Sequence, residues 1–211
     1  SLLRDGIGEP EPFVFGSSGF LYRSNKLMYD RETNSLWNQF TGRPVVGRLT
    51  GSGIQLKILP IVITNWGEWR SRHPDTKVLS LETGYQRPYI PGLPYGEYFA
   101  SPELMFPAVL RDRRLQAKDH VFGIRTEEGA KAWPIAVFKE HPVINDSIGS
   151  LDIVLIGDES ARTVRAYERQ SRVFTARADA ESVASDGKTW RITEDGLIGP
   201  EGQTMPRLAG H

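Results

Sequence analysis

The chain contains no cysteine. That excludes disulfide bonds, thiolate nucleophiles, zinc fingers and cysteine-held iron–sulfur clusters among these residues. Neither sign of charge is in excess: 26 Lys and Arg stand against 26 Asp and Glu. A formal net charge of zero gives no bulk attraction to nucleic acid or acidic lipid, so nucleic acid is not expected as a partner. Long apolar runs are also missing. Runs such as residues 58–63, interrupted by Pro60, and residues 153–156 fall far short of the roughly 18 a membrane helix needs. The four histidines, His73, His120, His141 and His211, never pair at helical spacing, so no local metal set is expected. Gly16-Ser17-Ser18-Gly19 lacks the Lys and helix start of a phosphate-binding loop. Two residues rather than three separate its glycines, so it is not a hydrolase nucleophile elbow either.

What the chain does have is turn chemistry. Of 211 residues, 21 are Gly and 14 are Pro, which favours many turns over long helices. Phe13-Val14-Phe15 and Phe20-Leu21-Tyr22 read as short strands joined by a turn at residues 16–19. Leu27-Met28-Tyr29-Asp30 faces residues 35–40 across a four-residue connection, a hairpin signature. Further strands are expected at 45–46, within 54–63, and at 77–81, 121–124, 152–156, 163–167 and 172–176. A last hairpin joins 190–193 to 196–198. Residues 68–73 predict a short helix, capped by Thr64 or Asn65 and ended by Pro74. Residues 131–138 fit either a strand or a short helix. Residues 84–107 carry Tyr85, Tyr89, Tyr95, Tyr98 and Phe99 among five prolines, a long irregular loop. No alternation of strand and helix appears. The expected fold class is therefore mainly β, a β-rich α+β chain of antiparallel sheets with few short helices.

Several strings taken together resemble a known family. They include Phe15-Gly16-Ser17-Ser18-Gly19-Phe20-Leu21-Tyr22, and Tyr29-Asp30 followed by Thr33, Ser35 and Trp37. Gly47-Arg48-Leu49-Thr50-Gly51, Thr64-Asn65-Trp66-Gly67-Glu68-Trp69 and Thr83-Gly84-Tyr85 follow in order. This pattern is similar to the uncharacterised family labelled domain of unknown function 3179, strongly over residues 13–100 and loosely over 117–211. The resemblance implies a bacterial or archaeal protein, often exported, so a periplasmic or secreted location is the expectation. Members commonly carry a Cys-Pro-Leu-Cys string upstream, which this chain lacks. It begins at Ser1 rather than Met, and the expectation is of a chain trimmed at both ends. The resemblance carries over no activity and no cofactor. It does imply a degenerate internal repeat, with barrel-like units. Lys131-Ala132-Trp133-Pro134 and residues 143–149 open the second copy, and residues 195–210 echo 30–51. The expected division is a first β unit over 1–116, holding the loop at 84–107, and a second, partial unit over 117–211.

Two readings of the hairpin compete. As a site, Asp30 serves as base or ligand, with Tyr29, Ser35 and Gln39 as neighbouring contacts. As structure, Asp30 and Thr33 close the turn while Met28, Leu36 and Trp37 pack beneath it, and this reading accounts for every residue type present. Trp66 and Trp69 lie three apart and share a helical face, as core or as a stacking platform. His141 with Asn145 and Asp146 is the nearest approach to a local ligand cluster. The candidate ligand-binding residues are therefore Tyr29, Asp30, Ser35, Gln39, Trp66, Trp69 and Tyr85. The tyrosine loop is expected to fold back over Trp66 and Trp69 as one wall of a cleft, with the hairpin opposite. Two functions follow: binding of a small ligand or metal between the repeat units, or a structural interaction module without chemistry of its own.

Overall fold

The computed structural model describes residues 12–106, 108 and 112–210. The chain divides into two compact units, Ser1–Leu59 with Glu103–Arg114, and Pro60–Pro102 with Leu115–His211. Residues 60–102 group with the C-terminal strands in the second unit. Strand accounts for 35% and helix for 9%, the β-rich antiparallel class expected from the sequence.

The first unit holds one antiparallel meander of four strands, β1 (Phe15–Tyr22), β2 (Asn25–Asp30), β3 (Leu36–Asn38) and β4 (Arg43–Val46), in sequence order. Gly16-Ser17-Ser18-Gly19 does not end a strand. It lies inside β1, whose register against β2 shifts between Ser17 and Leu21. Gly19 sits at φ 76°, a conformation that β-bulges reserve for glycine, and the Ser18 hydroxyl donates to the Leu27 carbonyl across the irregularity. A small core of Phe13, Trp37 and Leu56 lies against this sheet, with the Phe13 and Trp37 rings 5.3 Å apart.

The second unit begins with a non-strand segment and two short helices, α1 (Trp66–Arg72) and α2 (Gly96–Ala100). Residues 77–81 are not the strand expected from the sequence. They run exposed with no partner strand, Leu79 at 94%, because strand propensity is realised only where a neighbour supplies hydrogen bonds and burial. Next come β5 (Val121–Arg125) and β6 (Ala130–Pro134), then a 3₁₀ turn, Ile135–Lys139. The ambiguous stretch 131–138 is therefore strand first and helix second. A three-stranded sheet follows: β7 (Val143–Ile148), β8 (Leu151–Asp158) and β9 (Thr163–Glu168). The last sheet is a five-stranded meander of β10 (Thr175–Ala176), β11 (Ser182–Ser185), β12 (Lys188–Ile192), β13 (Gly196–Ile198) and β14 (Thr204–Pro206).

The two-residue period of β8 organises this unit. Ile153 and Leu155 point to one side, into a core with Phe122, Trp133 and Phe138. Val154 points to the other, into a core with Tyr167, Phe174, Trp190 and Leu197. The central sheet is thus covered on both faces, which is why residues 153–156 read as an unbroken apolar run. The C-terminal core includes the perpendicular ring pair Phe174 and Trp190, with centres 5.5 Å apart.

Candidate ligand cleft

The hairpin residues proposed as ligands are spent on the fold. Asp30 has no exposed surface. Its carboxylate accepts from the Thr33 amide at 2.5 Å, the Thr33 hydroxyl at 2.8 Å, the Ser35 amide at 3.1 Å and the Trp37 indole at 2.9 Å. Burial opposes its charge, yet the donors from Trp37, Thr33 and Ser35 outweigh burial and hold the carboxyl below its ordinary range. Ser35 is equally buried, its hydroxyl bonded to Thr33 and accepting from the Leu49 amide at 3.1 Å. The Gln39 amide donates to the Lys26 carbonyl, and the Tyr29 ring lies directly over Gly16, leaving no room there for a Cβ.

The aromatic candidates belong to the second unit. Trp66 is half exposed; Trp69 stacks on His73 with ring centres 4.0 Å apart and donates to Thr76. The tyrosine loop does not cover them as expected. Tyr85 is 72% and Phe99 75% exposed, and the partners of the loop's rings are local: Tyr89 with Thr83, Tyr98 with Phe99 and Lys118. The His141 cluster separates as well. Asn145 clamps the Phe174 backbone through both its amide atoms, and Asp146 receives Trp133 and Lys131. Among the described residues no three His, Asp or Glu side chains gather as metal ligands.

The concavity lies elsewhere, beneath α1. The Asn65 side chain accepts from the Glu68 amide at 2.9 Å, capping α1, and its amide reaches the Ser160 carbonyl at 3.4 Å. The same residue thus starts the helix and ties it to the β8–β9 turn. The floor of the resulting cleft, about 310 Å³, includes Phe138, Val143, Ile156 and Val183. Gly157 is required there, because a Cβ would sit 2.4 Å from the Phe138 ring. Charged groups rim it: Glu68 and Arg72 of α1, Asp158 and Arg165 of the central sheet, and Arg177 and Asp179 beyond β10.

Most of these charges are paired. The Arg72 Nε lies 2.5 Å from Glu68, one helical turn away. Arg165, only 8% exposed, donates through Nε and Nη2 to Glu194 at 3.0 and 2.6 Å. Arg207 binds the same Glu194 from the other side and also reaches the Ile61 carbonyl. Burial works against the Glu194 charge, but the two guanidinium groups hold its carboxyl below the usual range. Tyr167, buried beside this cluster, donates to the Thr193 carbonyl at 2.8 Å; burial raises its phenol far above its ordinary pKa, so it stays protonated. A second, more open cavity of about 770 Å³ adjoins the first, and Glu68, Arg72, Ala180 and Ile192 line both.

Of the α1 residues, Glu68 and Arg72 line this cleft and Trp66 and Trp69 do not. A usable signal existed at Arg165: a lone cation inside Thr163-Val164-Arg165-Ala166-Tyr167, a strand buried on both faces, must have a carboxylate partner.

The fold and cleft define a class: a two-unit β protein whose second unit holds a polar-rimmed, apolar-floored cleft under a short helix. The sequence model of the family described as "Protein of unknown function (DUF3179)" matches residues 8–209. The chain belongs to that family. No curated protein and no solved structure matches it.

Proposed function

We propose that this chain is a binding domain, and that its second unit holds a small polar ligand in the cleft between α1 and the strands β8, β9, β11 and β12. The observation that carries this reading is Arg165, a guanidinium almost wholly buried yet lining a cleft and fixed there by Glu194. Placing a charge so deep is costly unless it is held by a partner, and a rigidly held guanidinium is pre-organised for binding. The degenerate repeat is part of this proposal. β2, β3 and β4 followed by Arg48-Leu49-Thr50-Gly51 parallel β12, β13 and β14 followed by Arg207-Leu208-Ala209-Gly210. On that reading α1 comes from the first copy and the cleft's strands from the second. The family resemblance adds an exported, extracytoplasmic protein.

Isothermal titration of the purified chain against a panel of small polar molecules tests the binding reading. At least one should bind with 1:1 stoichiometry and lose most of its affinity in the half-exposed Arg72→Ala variant. Binding that ignores Arg72, or none across the panel, overturns it. A second reading, an interaction module acting through its surface, is favoured by the exposed apolar side chains of Leu79, Tyr85 and Phe99.

A further inference from the structure

We infer that the cleft takes a small zwitterion with an apolar body, the chemistry of a free amino acid such as leucine; this rests on the binding reading above. The charges rimming the smaller cavity are three cations, Arg72, Arg165 and Arg177, and three anions, Glu68, Asp158 and Asp179. A ligand of one sign would upset that balance on entering a partly desolvated site. A ligand carrying both signs preserves it.

Free hydrogen-bonding capacity of both signs is present. Arg72 commits only Nε to Glu68, and among the described residues its two terminal nitrogens have no hydrogen-bond partner. Those nitrogens form the flat fork that a carboxylate accepts in bidentate fashion. Asp158 commits Oδ1 to the amides of Ser160 and Ala161 and to the Ser160 hydroxyl. Its Oδ2 has no donor among the described residues, which suits an ammonium group. Arg72 and Asp158 line the same cavity, and after burial, which opposes it, and the bonds from the turn, the Arg72 charge helps keep the Asp158 carboxyl below its ordinary range. One acceptor and one donor fork therefore stand on the rim of one cavity.

The floor supplies the remaining element. Phe138 and Val183 are fully buried beneath the rim, with Val143 and Ile156 beside them, so an aliphatic side chain entering there meets hydrocarbon. A cavity of about 310 Å³ lies at the small end of ligand sites and is large enough for one amino acid.

The experiment is titration of the intact chain with L-leucine, L-leucinamide, N-acetyl-L-leucine, inorganic phosphate and glucose. Leucine should bind, and each blocked form, which removes one charge, should bind at least ten-fold more weakly. Arg72→Gln should weaken leucine by about ten-fold and erase its advantage over the amide. Asp158→Asn keeps an oxygen for the turn and should erase the advantage over the N-acetyl form instead. If phosphate or glucose binds in an Arg72-dependent way and leucine does not, the zwitterion inference falls while the binding reading stands. If none of the five binds, both fall. Equal affinity for leucine and its two blocked forms also overturns the inference.

Discussion

The indole of Trp37 donates to the carboxylate of Asp30 at 2.9 Å, and neither residue has any exposed surface. The pair joins the end of β2 to the middle of β3 and makes a buried charge the hub of the first unit. Asp30→Ala removes an acceptor from four donors at once. Charge-assisted bonds contribute about 1.5–3 kcal/mol each and buried orphans are costly, but partial relaxation tempers the sum, so a loss of about 3 kcal/mol is expected. Trp37→Phe keeps the ring and removes one donor, and should cost about 1–2 kcal/mol. Urea denaturation of both variants measures this. An Asp30→Ala protein as stable as wild type would mean that the network is ornamental.

Acid should unfold the chain through the same groups. Asp30, Asp146 and Glu194 all have carboxyls held below their ordinary values, each against burial: Asp30 by Trp37 and its turn, Asp146 by Lys131, Ser147 and Trp133, Glu194 by Arg165 and Arg207. At a pH between the depressed and ordinary values, the unfolded chain binds more protons than the native one, so stability rises with pH across that window. The contribution is complete above the ordinary carboxylate range and is lost as pH falls below about 4. Denaturation midpoints measured from about pH 6 to pH 2 should fall steeply at the acid end. Asp30→Asn should flatten that fall, and an unchanged slope would remove Asp30 from the account.

Gly157 and Phe138 offer a packing test inside the cleft floor. A Cβ on residue 157 would approach the Phe138 ring to 2.4 Å, and Phe138 is itself fully buried. Gly157→Ala should therefore cost about 1–3 kcal/mol, the range for overpacking a filled core. Phe138→Leu removes part of the obstacle. Combined with Gly157→Ala, it should cost less than the sum of the two single changes, a coupling readable by a double-mutant cycle. Strict additivity would show that the two residues are not in contact.

How much of this was legible depended on whether the determining contacts were local. The hairpin at 27–40 was readable because Asp30, Thr33 and Ser35 close their turn within five residues. The cap of α1 was readable because Asn65 and Glu68 are three apart. The bulge in β1 was not, since Gly16-Ser17-Ser18-Gly19 has the composition of a turn and only pairing with β2 distinguishes the two. Residues 77–81 misled because a strand needs a neighbour that sequence does not announce. The cleft was hidden for a related reason. Apart from Glu68 and Arg72 on α1, its charges are far apart in the chain and share no spacing, and only the tertiary fold brings them together.

Limited proteolysis should expose the character of the aromatic segment. Apart from the five residues of α2, positions 77–106 have no regular structure. The rings of Tyr85, Tyr95 and Phe99 stand largely in solvent, without the core contacts that resist local opening. One tether is evident: the Lys118 ammonium donates to the carbonyls of Tyr98 and Ser101 at 2.5 and 2.6 Å and lies over the Tyr98 ring at 3.6 Å, fastening the end of α2. Chymotrypsin at low dose should therefore cut first after Tyr85 and Tyr95, with Tyr98 more slowly cleaved than its exposed neighbours. Lys118→Met keeps the length of the side chain and removes the three interactions, and should accelerate cleavage at Tyr98 several-fold while leaving Tyr85 unchanged. Mass spectrometry of the early fragments gives the order of cuts. First cuts within β7, β8 or β9 would contradict this assignment of local stability, and an unchanged rate at Tyr98 in the variant would show that Lys118 does not hold the segment down.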